Sequence, residues 1–293
     1  SSLWGSSAMG GVVNLVTELA PGTIREFSPY VDIGFGSDST VRTAAGFSGA
    51  DGTFDYSLNA QHERSDGHNA TTKDNAFNYN PDDDEYEQHS LSGSFGWTWA
   101  PEQRIGVHFF NSYISGDYDA GEYDPVGANV KNRQQVYGIT SSNKITDWWY
   151  STLRYGFGKT SMNDYSPWGD TVNSVYQHSF SWQNDFHITP DHTVSVFYEG
   201  YKERIGSTTE FDQTKRNTNS VGAIYQGHFL DRHHVQASIR NDHYTDYGSR
   251  TTGSLAYDFD VTDTVTVGVA GNTGFRMPSF YDMYAPLNWG FQG

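Results

Sequence analysis

An all-β fold, specifically an antiparallel transmembrane β-barrel, is predicted by three observations. Apolar side chains alternate with small polar ones over long segments, tight turns alternate with longer polar loops, and aromatic residues gather beside the tight turns. No window holds the ~18 consecutive apolar residues of a membrane-spanning helix, so a crossing would be made by strands.

The elements bear this out in chain order. Residues 3–17, LWGSSAMGGVVNLVT, pack Gly5, Gly10 and Gly11 around Ala8 and Met9 and then run into Val12 and Val13, a tight backbone ahead of a strand. In Leu91, Gly93, Phe95, Trp97 and Trp99 the larger side chains fall mostly on odd positions, with Ser92, Ser94, Gly96 and Thr98 between them. The pattern returns in Trp149, Ser151, Leu153, Tyr155 and Phe157, and again in Val265, Val267 and Val269. About thirteen such segments are present, most of roughly ten to fifteen residues, longer than soluble strands and suited to a tilted crossing.

Tight turns are expected near Asp51-Gly52, Pro101-Glu102-Gln103, Thr146-Asp147, Pro190-Asp191, Asp231-Arg232 and Thr262-Asp263. Between them lie polar loops over 65–86, 116–131, 161–174 and 205–216, with short ones near 37 and 247. Trp97, Trp99, Trp148, Trp149, Phe186 and Phe229 flank the tight turns, where an interfacial girdle belongs.

Composition removes other classes. The 293 residues contain no cysteine, which excludes disulfide frameworks, thiolate metal sites and cysteine nucleophiles. A net charge of −17 opposes binding to a phosphate backbone, so no nucleic acid is expected as a partner. No catalytic motif emerges. Gly158-Lys159-Thr160 has Leu153 where a phosphate loop needs glycine, and His62-Glu63 lacks the second histidine of a zinc-protease helix. The protein is expected not to be an enzyme.

Three stretches carry a family resemblance. Residues 3–17 resemble the segment Tyr-Gly-Ser-x-Ala-x-Gly-Gly-Val-x-Asn-x-x-Thr that closes the plug of TonB-dependent outer-membrane receptors, with Trp4 in place of the tyrosine. Residues 239–259, IRNDHYTDYGSRTTGSLAYDF, resemble a barrel hairpin of that family. Residues 271–284, GNTGFRMPSFYDMY, resemble its Gly-Phe-Arg-Ala-Pro-Ser-Phe-x-Asp-Leu-Tyr segment, with Met277 in place of alanine.

The resemblance implies that residues 1–20 are the C-terminal end of a plug and 21–293 the N-terminal portion of a barrel. Because the family's barrels have 22 strands, about thirteen would leave the wall unclosed, and the chain is expected to be a fragment that forms no channel alone. The implied activity is import of a scarce nutrient across a Gram-negative outer membrane. The implied partners are outer-membrane lipid and lipopolysaccharide, and the TonB complex, acting through an N-terminal region not found in this sequence.

The layout is most similar to the cobalamin branch of the family, in "SDG", "DDDEYEQHSLSG" and "DYDAGEYDP". In that branch, acidic residues of two outer loops hold calcium. By resemblance Asp82, Asp84 and Asp119 would do so here, with Asn69 and Asn132 at two further positions, where a carbonyl oxygen ligates with less charge. A solvated acidic loop is the alternative. No other cofactor is expected.

A ferric siderophore is the alternative cargo, although the acidic loops would repel an anionic complex. Haem is disfavoured because no histidine follows Ser279. Tyr123, Tyr165 and Trp168, read as loop residues, and Arg276 are the candidate ligand contacts. A passive barrel, a surface adhesin or a soluble lectin would explain the strands but not the plug-like start followed by Phe-Arg-x-Pro.

Overall fold

The computed structural model describes residues 24–69, 71–75, 79–121 and 127–284. The expected plug end at 1–20 lies outside the described residues. Thirteen strands follow in chain order: β1 (Ile24–Phe35), β2 (Val41–Asp51), β3 (Phe54–Ser65), β4 (Tyr86–Ala100), β5 (Gln103–Tyr118), β6 (Ala128–Thr146), β7 (Trp149–Tyr165), β8 (Thr171–Thr189), β9 (His192–Ser207), β10 (Lys215–Phe229), β11 (His233–Tyr244), β12 (Gly248–Thr262) and β13 (Val265–Asn272). A one-turn helix, α1 (Phe280–Tyr284), comes last. The strands form one sheet in sequential order, each antiparallel to its neighbour, and among the described residues β1 and β13 do not pair with each other.

The register shows why alternation dictates this sheet. Leu58 lies opposite Gly93, Tyr56 opposite Phe95, and Phe54 opposite Trp97, which in turn faces Ile105. Apolar side chains such as Tyr56, Phe54 and Trp97 therefore meet apolar partners on the next strand and share one face of the sheet. This face remains exposed, with Phe95 at 45%, Trp182 at 45% and Val267 at 60%, so its apolar surface is built to meet lipid rather than a protein core. On β4 the apolar run from Leu91 to Trp99 rises about 26 Å along the strand, or about 20 Å across a bilayer at typical tilt.

At the tight-turn rim the expected aromatic girdle is present. Phe186 lies 5.7 Å from Trp148 and 6.0 Å from Trp149, and Trp97 lies 5.8 Å from Trp99. Two tryptophans of this rim reach polar groups. Trp149 Nε1 donates to Asn184 Oδ1 at 2.9 Å, and Trp182 Nε1 donates to Ser151 Oγ at 3.0 Å. Ser151 and Asn184 are buried beneath these indoles, which shield a polar pair on an otherwise apolar face. The turn at Asp51-Gly52 is set locally: Gly52 has φ of 90°, and Asp51 accepts from the amides of Thr53 at 2.9 Å and Phe54 at 2.6 Å.

The inward face is polar and carries the buried ion pairs. Arg104 donates three bonds to Asp55, from Nη2 to Oδ1 at 2.8 Å and to Oδ2 at 3.0 Å, and from Nε to Oδ2 at 3.2 Å. Arg240 bridges Glu199 at 2.6 Å and Asp242 at 2.8 Å, and Ser220 also donates to Asp242. Its guanidinium lies 5.4 Å from the Phe197 ring.

At the opposite rim the strands run further than alternation suggests. The loops expected over 116–131, 161–174 and 205–216 shrink to 119–127, 166–170 and 208–214. The extra strand residues pair through polar groups. Tyr118 donates to Asp164 at 2.6 Å, and the hydroxyls of Ser161 and Ser174 lie 2.9 Å apart. Once strands rise past the lipid no apolar face is required, so the period-two signal fades while backbone pairing continues.

Candidate functional site

The long-loop rim holds most of the residues singled out by sequence. Asn69 lies in the β3–β4 loop, Asp82 and Asp84 just before β4, and Asp119 just after β5. Asn80, which the sequence reading passed over, joins them. Asn69 donates its amide to the Asn80 carbonyl and accepts from Thr71 N at 2.8 Å. The Asn80 backbone amide donates to Asp119 Oδ1 at 3.3 Å, and its side chain donates to Asp82 Oδ2 at 2.9 Å. The signal for Asn80 was its place beside Asp82 and Asp84 in a stretch dense with oxygen-bearing side chains just before β4.

A glycine brings the two sides of this loop together. Gly67 has φ of +69°, and a Cβ there would lie 1.8 Å from the Asp84 carbonyl oxygen, so only a residue without a side chain allows this approach. The Asp66 amide donates to the Asp38 carbonyl at 2.9 Å, and the Asp117 amide to the Glu85 carbonyl at 2.9 Å, tying the loop to its neighbours.

Two oxygens of the set stand out. Asp119 Oδ2 and Asn132 Oδ1 are buried with no hydrogen-bond partner among the described residues. A buried carboxylate oxygen without a donor is costly, and a hard cation is one group that would satisfy it. Asn132 sits on the inward face of β6 opposite Ile114, below the loop cluster in the strand register. The oxygen-only character of Asn69, Asp82, Asp84, Asp119 and Asn132 suits calcium rather than a softer metal. A different grouping, His62, Glu87 and His89, has ligand atoms within 4.8 Å of one another, but it lies exposed on the outward face and is rich in nitrogen.

The candidate ligand contacts scatter. Tyr123 lies outside the described residues. Tyr165 is the last residue of β7 rather than a loop residue, and it faces outward opposite Asn129 with Lys131 Nζ 5.0 Å from its ring. Trp168 is 80% exposed in the β7–β8 turn. Arg276 is exposed in the segment between β13 and α1.

Around Arg276 that segment folds over β10–β12. Arg216 donates to the Pro278 carbonyl at 2.8 Å and to Glu203 at 2.8 Å, with its guanidinium 4.7 Å from the Phe280 ring. Phe275 packs 5.8 Å from Tyr244, and Tyr284 donates to Asp246. Burial, reinforced by that carboxylate, pushes the Tyr284 hydroxyl up to about 12. Ser279 and Asp282 cap α1 reciprocally: the Ser279 amide and hydroxyl donate to Asp282 Oδ2 at 2.9 and 2.7 Å.

A sequentially wound antiparallel sheet with an apolar outer face, a polar inner face and an aromatic girdle defines part of an outer-membrane β-barrel. The chain belongs to the TonB dependent receptor-like, beta-barrel family, which it matches over residues 27–293. That family is one of transporters rather than enzymes.

Among curated relatives, the vitamin B12 transporter of Photobacterium profundum is 24% identical over 295 residues, covering 98% of this chain and 46% of the relative. The corresponding protein of Vibrio vulnificus is 26% identical over 301 residues with the same coverage. The chain thus spans about half the length of the curated relatives it matches. Among solved structures, a ferric enterobactin receptor of Pseudomonas aeruginosa superposes with a TM-score of 0.77 at 15% identity, over 97% of this chain and 48% of that one. The siderophore receptor PirA of Acinetobacter baumannii gives 0.76 at 16%, over 97% and 48%. At such identities these structures establish the fold.

Proposed function

We propose that the chain forms part of a receptor that captures cobalamin at the outer surface and imports it with energy delivered through TonB, its first 20 residues being the end of the plug. The observation that carries this reading is the loop cluster of Asn69, Asn80, Asp82 and Asp119, closed by Gly67 and leaving Asp119 Oδ2 buried without a donor among the described residues. In this reading calcium satisfies that oxygen together with the Asp82 and Asp84 carboxylates, and orders the loop for a bulky ligand. Asn132 contributes a carbonyl oxygen lower on the wall. The likeness to vitamin B12 transporters along 98% of the chain supports the same choice of cargo.

In this reading these residues belong to the binding step. Their task is to bind, and the polar inner wall with its buried ion pairs supplies a rigid support for the loops. The test is equilibrium binding of cobalamin to the full-length receptor in detergent, with and without a calcium chelator. Binding that weakens on chelation, and weakens likewise in Asp119→Asn, supports the assignment. Binding of a ferric siderophore instead, with no response to cobalamin, transfers the receptor to the other cargo class.

A further inference from the structure

His62-Glu63 has no second histidine at helical spacing in the sequence, but the sheet supplies one from the next strand. Register places His62 of β3 directly opposite His89 of β4, and Arg64 opposite Glu87. The side chains of His62, His89 and Glu87 therefore share the outward face, one step above Ala60 and Leu91, the last apolar pair of the band on these two strands. One ligand atom from each of the three residues lies within 4.8 Å of the other two.

The nitrogens of these two imidazoles are held in reserve. Among the described residues neither ring makes a hydrogen bond, whereas His178, His192 and His233 each bond a tyrosine hydroxyl, at 2.8, 2.9 and 2.7 Å. His62 Nδ1 lies 3.8 Å from Glu87 Oε1, beyond hydrogen-bond distance. His89 stacks on Tyr113 with ring centroids 4.9 Å apart, a contact that fixes the ring plane without engaging its nitrogens. Arg64, although opposite Glu87, pairs instead with Glu85 at 3.5 Å and Asp66 at 3.9 Å.

Beside this trio the surface is recessed and acidic. A concavity of about 330 Å³ is bordered by His62, Arg64, Glu85, Glu87 and Asp117, so three carboxylates and one guanidinium surround it and the local field favours a cation. Two imidazole nitrogens and one carboxylate oxygen suit a divalent transition metal rather than calcium, which takes oxygen alone. Zinc bonds of ~2.0–2.2 Å set tetrahedral ligand atoms roughly 3.3 Å apart. The three side chains therefore need to close by at most about 1.5 Å, and all three are exposed and free to rotate that far.

We propose that His62, His89 and Glu87 bind a divalent transition-metal ion of the zinc or copper(II) type, with water from the recess completing its coordination. A directly opposed histidine pair and a carboxylate two residues along the same strand give three donors on one face, a set that leaves a fourth position open. The ion bridges β3 to β4 at the base of the loop that joins them, below the oxygen-only cluster of Asn69, Asp82 and Asp119. The assignment rests on the register of two strands and is independent of the nutrient the receptor carries and of calcium.

The experiment uses the full-length receptor, without an affinity tag, in detergent. Zinc is titrated by calorimetry into the unaltered receptor and into His62→Gln and His89→Gln, each checked for heat-modifiable migration. Either replacement should weaken zinc binding by roughly tenfold or more, and calcium at equal concentration should leave the zinc in place. Copper(II) bound to the unaltered receptor should show electron paramagnetic couplings to two imidazole nitrogens, and to one in His89→Gln. A further measurement needs no variant: zinc should protect His62 and His89 from modification by diethyl pyrocarbonate, while the exposed His68 stays reactive. Equal modification of His62 and His89 with and without zinc overturns the proposal. Zinc affinity unchanged in both folded variants overturns it too, and displacement of the zinc by calcium at equal concentration would show an oxygen-donor site elsewhere instead.

Discussion

Replacing Gly67 with alanine should dismantle the loop cluster while leaving the barrel wall intact. The Cβ would stand 1.8 Å from the Asp84 carbonyl oxygen and 2.5 Å from its carbonyl carbon, and both atoms are backbone, so no side-chain rotation relieves the clash. Reaching an ordinary carbon–oxygen contact requires the two segments to part by about 1.5 Å. Alanine at φ of +69° adds a conformational cost of about 1–2 kcal/mol. The bonds linking Asn69, Asn80, Asp82 and Asp119 depend on that approach, so the loop should open locally. The assay is hydrogen exchange of the full-length receptor, read at residues 66–85 and, separately, along β6–β9. Faster exchange in the loop with unchanged protection in the strands is expected, together with weaker cobalamin binding. Unchanged loop protection and unchanged affinity would show that the close approach of Gly67 to Asp84 does not organise the site.

Further expectations concern the wall and the segment after β13. Asp55→Ala leaves the buried Arg104 without its carboxylate and should lower stability by roughly 3–5 kcal/mol in a urea titration in lipid vesicles, whereas Asp55→Leu with Arg104→Met should recover most of it. Trp149→Phe keeps the aromatic surface but strands the buried Asn184 carbonyl, a loss of about 1–3 kcal/mol in the same assay; an unchanged midpoint would show that lipid-side water satisfies Asn184. Asp282 is held below the usual carboxylate range, first by the Ser279 hydroxyl and then by its amide. A lowered folded value means that its contribution is present above the unfolded value of about 4 and disappears as pH falls through the folded one. Protection of the Ser279 amide should therefore hold from neutral pH down to about 5, fall under stronger acid, and lose much of this dependence in Asp282→Asn.

The wall of the barrel was legible in the sequence because strand geometry is local. Successive side chains point to opposite faces, so Leu91 to Trp99 and Trp149 to Phe157 declare their lipid face without reference to any other strand, and tight turns such as Asp51-Gly52 form from adjacent residues. Strand ends were less legible because the apolar requirement stops at the membrane surface while pairing does not; Tyr165 consequently belongs to β7 and faces outward. The site divides in the same way. Resemblance selected Asn69, Asp82 and Asp119 as oxygen donors. Their meeting through Asn80 joins segments 11 and 39 residues apart, and the approach of Gly67 to Asp84 closes the loop between them. Likewise the pairing of Arg240 with Glu199, 41 residues away, and the meeting of His62 with His89 exist only once the strands are in register. Alternation determines which face each residue occupies; pairing across strands determines which charges become neighbours, and that depends on the register of the whole sheet.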